Sequence, residues 1–348
     1  MNWWRAAFRN RAVRNGVKIA LAVILLALVF RKVDWPDMAR RLRGIDWRFV
    51  FGAIAVQWVV ILIGNHRLKI LLKALDIHLT YWRTFRYTCI GYFFNLAFPG
   101  GMGGDVVKAF YVARETHDKA AAVTAILLDR MLGLLAVVMI ATVALIATLK
   151  SSPAFRPLLP IVIVVLALSF VVGTILLTKN HWEQYGWWRA VERYIPKFVL
   201  GMINAMYSYR SHKGIALLAM AESLVLQLLM CVFGWFCGEA LHFQAIQWYT
   251  YFVMFPVLTL VLTLPITPGG LGVTEYFANT WFERAGESAG AGLAFMLLLR
   301  LNMLIMAFSG FIYWILPGVH VSRAELARGT EAIAEEERVL EHLDEAGH

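Results

Sequence analysis

Charge is scarce in this chain: 16% of its 348 residues are Asp, Glu, Lys or Arg while 60% are hydrophobic, against about a quarter charged in soluble domains. That deficit excludes a water-soluble body. Cysteine is equally sparse. Cys89, Cys231 and Cys237 sit in apolar surroundings without a Cys-x-x-Cys pair, so they read as reduced core residues, with no disulfide framework or thiolate metal site. Catalytic motifs are missing as well, with neither Gly-x-Ser-x-Gly nor His-Glu-x-x-His. The nine histidines are scattered, and no metal or cofactor is expected. A glycine-rich run at 100–104 lacks the Lys-Ser/Thr of a phosphate-binding loop and follows no strand, which argues against an ATP-driven pump.

What the chain has instead is a succession of apolar runs near or above the ~18 residues that cross a bilayer. The expected fold is all-α, a polytopic helical membrane protein. Residues 1–321 form its transmembrane domain and 322–348 an acidic cytoplasmic tail. The formal charge of +10 is unevenly placed: the tail holds eight acids and three bases, net −5, which leaves +15 on residues 1–321. Those bases flank spans without forming an aromatic-interleaved face, so anionic lipid headgroups are the expected partners and nucleic acid is not.

Spans are read at about 17–30, 49–72, 120–149, 158–177, 215–239 and 291–316. Arg5, Arg9, Arg11, Arg14 and Lys18 precede the first, which reads as a retained span in the cytoplasmic membrane with the N-terminus in the cytoplasm. The link from 31 to 48 has a helix start at Asp34-Trp35-Pro36-Asp37, and a basic excess that conflicts with the outside location the span count gives it. Residues 179–213 read as a cytoplasmic interfacial segment, and the link at His242 as external. Several spans carry polar residues: Asn65-His66-Arg67, Asp129-Arg130, Glu222 with Gln227, and Arg300 with Asn302. Such groups face protein or water in preference to acyl chains.

Two stretches break the pattern. Phe98-Pro99-Gly100-Gly101-Met102-Gly103-Gly104-Asp105 and Pro268-Gly269-Gly270-Leu271-Gly272-Val273-Thr274-Glu275 share a Pro-Gly-Gly-[Met/Leu]-Gly core, with an acid six residues after the proline in the first and seven in the second. Lipid cannot satisfy irregular backbone, so such breaks belong where they are buried in protein or line a wet cavity. The apolar limb at 87–98, twelve residues long, is too short to cross the bilayer comfortably, which favours re-entry. Two re-entrant or broken hairpins, the first entering from inside and the second from outside, with six full spans and both termini cytoplasmic, make an inverted pseudo-repeat. Counting each limb as a span gives eight to ten.

The candidate site comprises Pro99, Gly100, Gly101, Gly103, Gly104, Asp105, Lys108, Asp129, Arg130, Pro268, Gly269, Gly270, Gly272, Glu275 and Arg300, with Arg67 and Glu222 as weaker members. Glycine amides can cradle an oxygen-rich headgroup. Arginines offer bidentate donors to phosphate, and the carboxylates pair those arginines when no ligand is bound. The plainer reading is that these charges only pin broken helices.

Together, Pro99-Gly-Gly-Met-Gly-Gly-Asp105 with Lys108, Asp129-Arg130 opening a glycine-containing helix, and Pro268-Gly-Gly-Leu-Gly-Val-Thr-Glu275 resemble the lysylphosphatidylglycerol synthase transmembrane-region family of flippase-like membrane proteins. The resemblance covers roughly residues 15–318. It implies a lipid-translocating domain, in some members a homodimer. In the aminoacyl-lipid synthases a soluble transferase domain follows, and an end at His348 argues against that reaction. The expectation is a non-enzymatic protein that moves an anionic or glycosylated lipid through a polar cavity between the hairpins. A membrane-embedded headgroup transferase using Asp105, Asp129 or Glu275 as base, and a scaffold for a lipid-modifying complex, are the alternatives.

Overall fold

Asp46 accepts a hydrogen bond from the Arg48 amide at 2.9 Å, satisfying one of the four donors a helix N-terminus leaves open. From that cap the first long helix runs 28 residues. The structure, a computed structural model, describes residues 35–97, 103–116, 118–148, 212–243, 245–263, 267 and 270–315. The spans read at 17–30 and 158–177, the interfacial segment up to 211, the tail, and Pro99, Gly100, Gly101, Pro268 and Gly269 lie outside the described residues.

Nine α-helices are described: α1 (Trp35–Arg43), α2 (Trp47–Ala74), α3 (Tyr81–Ala97), α4 (Gly103–Arg114), α5 (Lys119–Thr148), α6 (Lys213–Ala240), α7 (Tyr251–Thr263), α8 (Val273–Arg284) and α9 (Ala291–Ile315). α2, α5, α6 and α9 are long and apolar enough to cross a membrane, and their bounds fall within two residues of the expected spans. α3 begins six residues before the expected limb, because Tyr81 and Trp82 stack edge to face at 5.6 Å and the Tyr81 hydroxyl donates to the Leu62 carbonyl at 2.9 Å. Its 17 residues reach about 25 Å, just short of a ~30 Å hydrocarbon core.

Chain direction follows from a few contacts. The Asp46 amide donates to Ala240 O at 3.1 Å, so α6 finishes where α2 begins. Glu115, just past α4, meets Arg83 at 2.9 Å and the Tyr87 hydroxyl at 2.6 Å, so the α3–α4 hairpin opens at the Ala74 end of α2. Glu287, just past α8, accepts from the Ala245 amide and from Arg41, each at 2.9 Å, so the α7–α8 hairpin opens at the Trp47 end. The two hairpins therefore enter from opposite ends.

Each half has the same order: a long helix, a hairpin, a long helix. α5 packs against the second limb of its own hairpin (α4) and the first limb of the other (α7), while α9 packs against α8 and α3. Exchange of the halves reproduces this pattern, as an inverted repeat requires. Two cores result. One centres on Tyr251, Phe282 and Phe295 around the second hairpin, the other on Tyr87, Phe94 and Tyr111 around the first.

Arg41 accounts for part of the basic excess before Arg48. Its guanidinium bonds Glu287, whose side chain is only 5% exposed, and lies 5.2 Å over the Phe243 ring. It is a structural clamp between α1 and the mouth of the second hairpin, so it carries no message about which side of the membrane it faces.

Small residues set the helix crossings, as expected where lipid supplies no hydrophobic drive between helices. A Cβ on Gly104 would overlap the Gly91 carbonyl, and one on Gly310 would overlap the Cys89 carbonyl. Gly310→Ala is expected to cost about 1–3 kcal/mol through overpacking at α9–α3. Gly214→Ala, with nothing within 4 Å, is expected to be neutral or stabilising by about 0.5–1 kcal/mol. Melting of the purified protein in detergent checks both; equal midpoints would remove the tight-crossing argument.

Candidate functional site

Glu275 and Asp105 occupy the same place in the two halves: each is the third residue of the second limb of its hairpin. A carboxylate there interacts favourably with the helix dipole and with unsatisfied amides. Gly270 (φ +68°) and Gly272 (φ +80°) make the turn that delivers Glu275, in the left-handed region that glycine adopts without steric cost. Glu275 Oε2 accepts from the Gly272 amide at 2.7 Å. Its Oε1 accepts from Arg300 Nη2 at 2.9 Å and Nε at 3.2 Å. Thr274 Oγ1 accepts from Arg300 Nη2 at 3.2 Å and lies 2.9 Å from Gly270 O and 3.0 Å from Glu275 Oε2, so its single proton goes to one of those two.

In the first hairpin, Asp105 Oδ1 meets Lys108 Nζ at 2.7 Å and Oδ2 accepts from Arg130 Nη1 at 2.5 Å. The Gly104 amide donates to Asn95 Oδ1 at 2.7 Å. Asp105 and Arg130 are 25 residues apart, as are Glu275 and Arg300. Each arginine lies well inside a long helix, the twelfth residue of α5 and the tenth of α9, which places it about 15 Å from the helix start. The pairs differ in burial: the Glu275 side chain is 5% exposed and Asp105 20%.

Asp129 does not join Arg130. Successive helical residues point about 100° apart, and Asp129 turns instead toward α2, where Arg67 Nε donates to its Oδ1 at 2.7 Å. Arg67 Nη1 donates to Ser223 Oγ on α6, also at 2.7 Å. The neighbouring His66 Nδ1 lies 2.6 Å from Glu222 Oε1. The two outlying charges, Arg67 and Glu222, thus belong to a separate polar seam joining α2, α5 and α6.

A cavity of about 280 Å³ lies where the two hairpins approach each other, near the lower end of small-molecule sites. Tyr92 and Asn95 of α3 line one side, Thr259 and Leu262 of α7 with Thr274 of α8 the other, and Arg300 and Asn302 of α9 the wall between. Gln57 adds a further amide, and most of the remaining surface is Met, Leu and Phe. The chamber is therefore apolar with a polar patch, where a generally polar one was expected. Arg300 is in its lining, whereas Asp105, Lys108, Asp129 and Arg130 are not. Asn95 connects the two regions, lining the cavity while holding the Gly104 amide.

The amides of Gly104, Gly270 and Gly272 are bonded within the protein, to Asn95 Oδ1, Thr267 O and Glu275 Oε2. They do not form the open cradle expected of them, because the hairpin turns must satisfy their own backbone at depth.

The inverted pair of broken hairpins, with buried ion pairs and a partly open cavity among apolar helices, defines a polytopic α-helical membrane protein built on an internal repeat. The chain belongs to the family of the lysylphosphatidylglycerol synthase TM region, whose model matches residues 16–310. A search of curated proteins matches nothing.

Proposed function

We propose that the protein moves an anionic or glycosylated lipid across the cytoplasmic membrane, and that it does so without chemistry on the headgroup. The observation that carries this reading is the position of Arg300: in the wall of the cavity between opposed hairpins, about 15 Å inside α9, and bonded to an acid at a helix start. Apolar walls suit the glycerol backbone and acyl stems of a lipid. The guanidinium suits a phosphate, which competes with Glu275 for the same donors.

Exchange of carboxylate for phosphate on Arg300 opens the second hairpin, and the Asp105–Arg130 pair does the same for the first. A binding site released alternately toward the two ends is the behaviour an inverted repeat supports. The re-entry of both hairpins into the bilayer is part of this proposal. So is orientation. Around the Ala74 end, residues 69–86, 114–119 and 213 carry seven bases and three acids, while 37–48, 239–248 and 283–287 at the other end carry five of each. Basic excess marks the cytoplasmic side, so the first hairpin opens to the cytoplasm.

Proteoliposomes containing the full chain and fluorescent phosphatidylglycerol test the reading. Wild type is expected to render inner-leaflet label accessible to an external quencher, and Glu275→Gln, which keeps an acceptor for the Gly272 amide, to abolish movement while the melting temperature holds. Headgroup turnover without movement would replace transport with a transferase.

A further inference from the structure

α5 and α9 are each shared between the two hairpins, and the sharing is crossed. The front of α9 belongs to the second hairpin: Phe295 meets the Phe282 ring of α8 at 5.1 Å between centroids, and the Gly290 amide just before α9 donates to Asn279 Oδ1 of α8 at 3.0 Å. Its back belongs to the first. Gly310 lies against the Cys89 carbonyl of α3, and the rings of Phe311 and Trp314 meet that of Phe93 at 5.4 and 5.8 Å. α5 runs the other way: Ala122 and Ala125, near its start, are buried in the core of the first hairpin with Val107 and Val112 of α4, whereas Leu145, near its end, is buried in the core of the second with Met254 of α7.

Neither helix contains a proline, the usual cause of a sharp kink, so each is one rod gripped at its two ends by different hairpins. Arg130 is residue 12 of the 30 in α5 and Arg300 residue 10 of the 25 in α9, which puts each ion pair two-fifths of the way along its rod, between the grips. A rod that tilts about a point between its grips carries its ends in opposite directions. We infer that α5 and α9 are levers coupling the two hairpins with opposite sign, so that loosening either hairpin tightens the other. Close-packed helices move between discrete arrangements and do not deform continuously, which lets a local release at one hairpin reach the other intact. Trp314 and Leu145 are positioning residues of this device: each holds the far end of a lever, and neither lines the cavity. The use of the coupling in alternate release rests on the transport reading; the coupling itself rests on packing alone.

Amide hydrogen exchange of the full chain in detergent, followed by mass spectrometry, reads local opening at both hairpins without any lipid movement. Glu275→Gln, which neutralises the pair on α8, is expected to speed exchange over 273–284 and to slow it over 103–114 by about fivefold, the low end of coupling between sites. Coupling is reciprocal, so Asp105→Asn should speed 103–114 and slow 273–284 by a similar factor. Trp314→Ala loosens the grip of α9 on the first hairpin and Leu145→Ala that of α5 on the second; each is expected to shrink the response of the distant hairpin while the response beside the neutralised acid persists, which also shows that the fold is kept. Three results overturn the inference: a change confined to the neutralised hairpin, faster exchange in both hairpins, or a distant response unaltered by Trp314→Ala and by Leu145→Ala. Coupled exchange without transbilayer movement in liposomes overturns the transport reading alone, and movement without coupled exchange overturns this inference alone.

Discussion

Arg67→Met is expected to lower the unfolding free energy by about 3–5 kcal/mol, the cost of stranding a buried carboxylate. Arg67 and Asp129 are 8% and 9% exposed, and the guanidinium bonds Asp129 on α5 and Ser223 on α6 at 2.7 Å each. One side chain of α2 thus joins three long helices, and without it Asp129 loses its hydrogen-bonded cation and keeps only the more distant Lys108. The double variant Arg67→Met/Asp129→Leu is expected to recover most of the loss, because apolar replacement of a whole buried pair is commonly neutral or better. Unfolding in mixed micelles of the two single variants and the double variant closes the cycle, with a coupling energy of about 2–3 kcal/mol expected for groups in direct contact. A single-variant cost below about 1 kcal/mol would mean that water reaches the seam, as at exposed pairs. Lipid binding by the double variant should match wild type, since neither residue lines the cavity.

Hydropathy alone located α2, α5, α6 and α9 because their apolar runs are long and polar residues interrupt them only in short groups. The hairpins were legible from their glycines: nothing else in the chain combines Pro, Gly and an acid at that density. The partners of the charges were harder to read. Asp129 and Arg130 are adjacent in sequence and invite a joint reading, yet adjacency on a helix separates them in space, one toward Arg67 and the other toward Asp105. The usable signal was the repeated 25-residue interval, Asp105 to Arg130 and Glu275 to Arg300. It emerges only when the two hairpins are aligned on their acids instead of their prolines. The polar lining of the cavity was out of reach, because Gln57, Asn95 and Asn302 converge from three helices distant in sequence. Arg41 is a weak guide to orientation for a different reason: charge-count rules assume solvated bases, and this one is sequestered against Glu287.

Lipid affinity should respond in opposite directions when either member of the cavity ion pair is neutralised. Arg300→Gln removes the cation that meets the phosphate, and loss of a charged hydrogen bond worth about 1.5–3 kcal/mol predicts roughly ten- to a hundredfold weaker retention of phosphatidylglycerol. Glu275→Gln removes the competing carboxylate while Thr274 still holds Nη2 at 3.2 Å, so the phosphate no longer has to displace a charged partner, and retention should tighten by a similar factor. Both variants should nevertheless stop transbilayer movement, one through failure to bind and the other through failure to release, because the proposed cycle has Arg300 exchange its two anions. Native mass spectrometry of retained lipid beside the liposome assay reads both quantities on the same preparations. A purely structural pair behaves differently: each neutralisation would lower the melting temperature and weaken retention together, and no variant would bind more tightly than wild type. Tighter retention in Glu275→Gln is therefore the result that separates a ligand-exchanging arginine from one that only pins α8 to α9.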